Sequence, residues 1–76
     1  MIEKRFHSDL YDGKAVDAAV RVYESFGSFE LEKEQDTFVV RISANAGVDE
    51  ERLANEFANY ALGTTIEARK AKGGPS

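Results

Sequence analysis

The spacing of apolar residues switches back and forth between two periods, and that switching restricts the fold more than any other feature. Between residues 2 and 11, Ile2, Phe6 and Leu10 fall on one side, with Lys4 and Ser8 between them. Glu3, Arg5, His7, Asp9 and Tyr11 fall on the other. A period of two with one apolar side predicts a half-buried strand. From Lys14 to Phe26 the spacing becomes three and four: Val16, Ala19, Val20, Tyr23 and Phe26 share a face, while Lys14, Asp17, Arg21 and Glu24 point away. That is an amphipathic helix. Asp12 precedes it as a capping residue, and Gly27 stands where a left-handed residue ends such helices.

The period of two then returns. Phe29 and Leu31 alternate with Glu30 and Glu32, Glu34-Gln35-Asp36 reads as a polar hairpin connection, and Phe38, Val40 and Ile42 alternate with Thr37, Val39, Arg41 and Ser43. This third strand is rich in β-branched residues, which suit a pleated, packed surface. After a turn at Asn45-Ala46-Gly47, Asp49 is placed to cap a second helix whose first turn carries Glu50 and Glu51, favourable to the helix dipole. Leu53, Phe57, Tyr60 and Ala61 form its expected buried stripe, and Gly63 is expected to stop or kink it. Residues 64–69 fit two readings, a short fourth strand on the strength of Thr64, Thr65 and Ile66, or a continuation of the helix. Residues 1–70 are expected to form one domain and residues 71–76 a disordered tail.

The order β-α-β-β-α limits the architecture. A right-handed crossover makes the first two strands parallel if they share a sheet, and the hairpin makes the third antiparallel to the second. Placing the third strand in the middle predicts a two-layer α+β fold, sheet order 1-3-2, with both helices on one face, which is most of a ferredoxin-like unit. Phe6, Leu10, Phe29, Leu31, Phe38, Val40 and Ile42 should then face Val16, Val20, Tyr23, Leu53 and Phe57. The opposite sheet face carries Arg5, His7, Glu30, Glu32, Val39 and Arg41, a pattern that allows cross-strand charge pairing. The first strand is left with an open edge unless residues 64–69 cover it, and open edges invite a second copy or an extended peptide.

Composition narrows the function. With 76 residues the chain is close to the size at which a single core barely suffices, and with no cysteine it has neither disulfides nor thiolate ligands for zinc. Ten basic residues against fourteen acidic ones give a net charge of −4. Phosphate backbones reward clustered Lys and Arg, so this balance argues against nucleic acid as a partner. Met1–Phe6 has no apolar run of the kind that marks a signal peptide, and no stretch reaches the length needed to cross a bilayer, so no membrane association is expected and the cytoplasm is the default location.

No catalytic, cofactor or metal site is predicted. His7-Ser8-Asp9 has the residue types of a nucleophilic triad, but in a strand Ser8 points away from the other two. Glu30, Glu32, Glu34 and Asp36 do not converge as a hard cation requires. The glycine-containing turns at Asp12-Gly13 and Ala46-Gly47 are too short for phosphate loops, and the sheet lacks the exposed aromatic pair that stacks bases. What remains are surfaces for a partner. Asn55 and Asn59 share a helical face with Tyr60 nearby, and Val39 and Arg41 belong to the outer sheet face. A protein-binding module, a self-assembling homodimer and a small ligand-binding domain of ferredoxin-like type are the three readings.

Three runs also resemble a known family. Tyr11-Asp12-Gly13-Lys14-Ala15-Val16-Asp17-Ala18-Ala19-Val20-Arg21-Val22-Tyr23 is similar to the first helix of HxsD, the small D-protein family of His-Xaa-Ser systems. Phe38-Val39-Val40-Arg41-Ile42 falls where that family has a strand, and Leu53-Ala54-Asn55-Glu56-Phe57-Ala58-Asn59-Tyr60-Ala61-Leu62 resembles its Phe/Leu-x-Asn-Glu-Leu helix. The resemblance implies a non-catalytic accessory role in peptide maturation, with a radical-SAM enzyme or a short His-Xaa-Ser peptide as partner. It also favours a helical continuation after Gly63. Here Gly63-Thr64-Thr65 interrupts the charged, leucine-bearing continuation usual in the family. This chain contains no His-Xaa-Ser triplet, so it is not itself the peptide.

Overall fold

The computed structural model describes the backbone of residues 1–72 and the side chains of residues 1–70. Strand β1 (Ile2–His7), helix α1 (Gly13–Tyr23), strands β2 (Gly27–Glu34) and β3 (Thr37–Ala44) and helix α2 (Glu50–Lys72) follow in that order. The sheet order is β1-β3-β2, with β3 antiparallel to both neighbours. Both helices contribute to one core on one side of the sheet, as the α+β reading predicts. Val16 and Ala19 of α1 and Leu53, Ala54, Phe57 and Ala61 of α2 pack with Phe6, Val40 and Ile42. Phe57 is the aromatic hub: its ring lies 5.1 Å from Phe29 in a stacked arrangement and 5.8 Å from Phe6.

Local chemistry accounts for the element boundaries. Asp12 caps α1, its Oδ1 accepting from the Lys14 backbone N–H at 2.9 Å. Asp49 caps α2 through Oδ1, which accepts from the Arg52 N–H at 3.1 Å. Such caps satisfy N–H groups that the helix itself leaves without partners. Gln35 and Asp36 connect β2 to β3, and Gln35 takes the left-handed conformation (φ 51°) that short hairpin loops require.

Several expectations are corrected. β1 ends at His7 because the chain turns there: the Leu10 and Tyr11 N–H groups both donate to the His7 carbonyl, and Leu10 is exposed instead of buried. Helix α1 stops at Tyr23, one turn short of Phe26, and Gly27 is the first residue of β2, not a left-handed cap. The need for glycine at position 27 is steric, since an added Cβ would lie 2.5 Å from the Ser43 carbonyl oxygen. Leu31, expected in the core, and Tyr60, expected in the buried stripe, are both exposed. Residues 71 and 72, expected in the tail, belong to α2, which runs to Lys72; residues 73–76, the rest of that expected tail, lie outside the described residues.

Gly63 does not stop α2, and residues 64–69 are helical. Thr65 shows why the helix wins over a fourth strand. Its buried hydroxyl donates to the Ala61 carbonyl at 2.8 Å and accepts from the Asp12 backbone N–H at 3.0 Å. The helical conformation thus satisfies Thr65 and, in the same stroke, a backbone donor at the start of α1. A buried donor without a partner carries a desolvation penalty of about 1–3 kcal/mol.

Candidate interaction surfaces

Among the described residues no group of three or more His, Cys, Asp or Glu is placed to hold a metal ion, and no buried side-chain polar atom lacks a hydrogen-bond partner. The His7-Ser8-Asp9 segment is structural. His7 Nδ1 accepts from the Asp9 backbone N–H at 3.3 Å, while Nε2 lies 3.2 Å from Asp36 Oδ2. The ring therefore fastens the end of β1 to the β2–β3 turn.

The outer sheet face is a closed network of charges. Arg41 sits between Glu32 of β2 and Glu3 of β1, and Arg5 reaches both Glu3 and Glu34. The hydrogen bond and charge of Glu32 hold the Arg41 guanidinium pKa above its ordinary value. Val39, predicted to be exposed for a partner, is fully buried. Its cross-strand partners on that face are Arg5 and Glu32, whose long side chains are of the kind that can cover an apolar neighbour. Val39 is thus unavailable as a contact, and Arg41 is already committed to two carboxylates.

The helical layer differs. Asn55 and Asn59 are exposed on α2, on the side of the molecule away from Val39 and Arg41. The five residues singled out from the sequence therefore fall on two separate surfaces. Tyr60 is 38% exposed and sets its ring edge-on to Tyr23, 5.8 Å away. Leu62 and Ile66 continue the exposed side at 39% and 51%.

Next to this side lies a cleft of about 350 Å³ where α1, the β3–α2 turn and the first turns of α2 meet. Tyr23, Phe26, Val48 and Leu53 supply its apolar walls, and Asp49, Arg52 and Glu56 its rim, with Arg52 Nε 3.5 Å from Glu56 Oε1. Phe26 is 47% exposed here. The cleft was not predicted, because Phe26 was assigned to the buried face of α1. The adjacent Gly27 was the available signal: a residue obliged to start a strand cannot also extend the preceding helix.

At the tail of α2's capping region, the Glu50 carboxylate joins three segments. It lies 2.8 Å from the Met1 ammonium and accepts from the Ala44 N–H at 3.1 Å. These two bonds, that to the ammonium first, hold its pKa below the ordinary glutamate value.

The class these features define is a two-layer α+β domain with a charged sheet face and a partly apolar helical face. No family model, curated protein or solved structure matches the chain in comparison. Among the described residues no helix is long and apolar enough to cross a membrane.

Proposed function

We propose that this chain is a non-catalytic binding protein that seats an apolar side chain of a protein partner in the cleft walled by Tyr23, Phe26, Val48 and Leu53. The observation that carries this reading is the half-exposed Phe26 ring over a concave apolar wall, framed by charged groups. A concave apolar site with a polar rim is the usual form of an anchoring pocket. The resemblance of residues 11–23, 38–42 and 53–62 to HxsD adds a finer proposal: an accessory role in peptide maturation, with a radical-SAM enzyme or a short His-Xaa-Ser peptide as the partner. A cytoplasmic setting belongs to the same proposal and accords with a cysteine-free chain.

A tagged pull-down from the native host, with mass spectrometry of the bound proteins, tests both levels. Recovery of a radical-SAM enzyme or a His-Xaa-Ser peptide, lost in Phe26→Ala, is the expected result. A different partner lost in the same variant would keep the cleft and remove the family-based reading. Partner recovery that is indifferent to Phe26→Ala would remove the cleft.

A further inference from the structure

We propose that the exposed stripe of α2 centred on Gly63 is the contact surface for a second copy of this chain, packed antiparallel about a two-fold axis passing beside Gly63. The inference is independent of the cleft reading. It begins with Gly63 itself. This residue lies in the interior of α2, and an added Cβ would meet nothing within 4 Å. Glycine in a helix interior costs about 1 kcal/mol relative to alanine, and among the described residues no contact requires it here. Close approach of another backbone is the circumstance in which glycine's missing side chain is useful.

The residues around Gly63 are arranged to meet their own copies. At 3.6 residues per turn, positions three and seven residues away on either side share its face. Three residues away stand Tyr60 and Ile66, both large, apolar-bodied and exposed. Seven residues away stand Glu56 and Lys70, of opposite charge. A two-fold axis at Gly63 therefore brings Ile66 of each copy to Tyr60 of the other, and Glu56 of each to Lys70 of the other. Asn59 comes to Glu67, which accepts from its amide. A parallel arrangement would instead set Glu56 against Glu56 and Lys70 against Lys70, which is unfavourable. Pairing two copies through the edge strand β2 would crowd Glu30, Glu32 and Glu34 against their counterparts, so that edge does not compete.

A seam one helix face wide lies at the low end of protein interfaces, below roughly 1,200 Å² of total buried area, so the dimer is expected to be reversible. Sedimentation equilibrium of the full chain from about 10 µM to about 1 mM covers the affinities such a seam produces. The mass should rise from monomer to dimer across that range. Ile66→Glu, at a site exposed in the monomer, should stay folded by circular dichroism and remain monomeric. Glu56→Lys and Lys70→Glu should each weaken association by about tenfold or more, and the double variant should restore it. A chain that stays monomeric at every concentration overturns the proposal. So does a dimer indifferent to Ile66→Glu, or a double charge reversal no tighter than the single ones.

Discussion

The two faces of this small domain meet water in opposite ways. On the outer sheet face, Glu3, Arg5, Glu32, Glu34 and Arg41 are tied to one another across three strands, and the single apolar residue among them, Val39, is fully buried. On α2, Leu62 and Ile66 are open beside a glycine with empty space around it. The first face satisfies its own polar groups and shields its own apolar one. The second leaves apolar area uncovered. In a chain this short, exposed apolar area on one side of one helix points to contact with another molecule more directly than charge density does.

The sharpest way to break this comparison is to place the same residue on both faces. Val39→Asp buries a carboxylate beneath the charge network and is expected to destabilise the fold by about 3 kcal/mol or more, whereas Ile66→Asp should change monomer stability by less than about 0.5 kcal/mol. Urea unfolding measures both; similar small losses would show that the network does not seal Val39. Next in size is Thr65→Val, which preserves shape but leaves the Asp12 N–H without its acceptor. It should cost about 1–3 kcal/mol, and Thr65→Ser, which keeps the hydroxyl, should recover much of the loss. Gly63→Ala acts in the other direction. It should stabilise the monomer by about 0.5–1 kcal/mol, and a loss would mean that a neighbour does limit the site.

The smallest effect is one of pH. Glu50 has a folded-state pKa below its unfolded one, so its contribution is present above the ordinary glutamate range and is lost as pH falls through the lowered folded value. Glu50→Gln should therefore flatten the acid limb of a stability–pH profile while leaving the shape near neutrality unchanged. An unaltered acid limb would mean that the Met1 and Ala44 bonds do not persist in solution.

The fold was legible where periodicity and packing agree. The residues at three- and four-residue spacing in α1, and the alternation of Phe38, Val40 and Ile42, name the core and the central strand. Periodicity was silent on what covers a face. It put Val39 on the outer side of the sheet but could not show that Val39 would be fully buried there. It left residues 64–69 open between strand and helix, because three β-branched residues weigh toward a strand only until one of them finds a hydrogen-bond partner elsewhere. Thr65 finds it at Asp12, a partner far away in sequence. Phe26 was misplaced for a related reason: the helical spacing continues through it, but the steric demand at Gly27 ends the helix before it. Of the candidate contact residues, Asn55, Asn59 and Tyr60 lie on an open surface, whereas Val39 and Arg41 are occupied within the chain.

The pairing of β1 has a consequence for the order in which the molecule can be assembled. β3 pairs with β2 across a tight turn, but with β1 only after α1 and β2 have been passed, so that Ile2 comes to lie against Ile42. During synthesis β1 leaves the ribosome before β2 and β3 and is without its sheet neighbour until β3 has emerged. The β2–β3 hairpin can close within microseconds of appearing, whereas the docking of β1 requires closure of a much longer loop. Loop closure thus favours the β2–β3 pairing over the docking of the earlier-made β1. Its run of charged residues, Glu3, Lys4 and Arg5, disfavours pairing with other chains in the meantime.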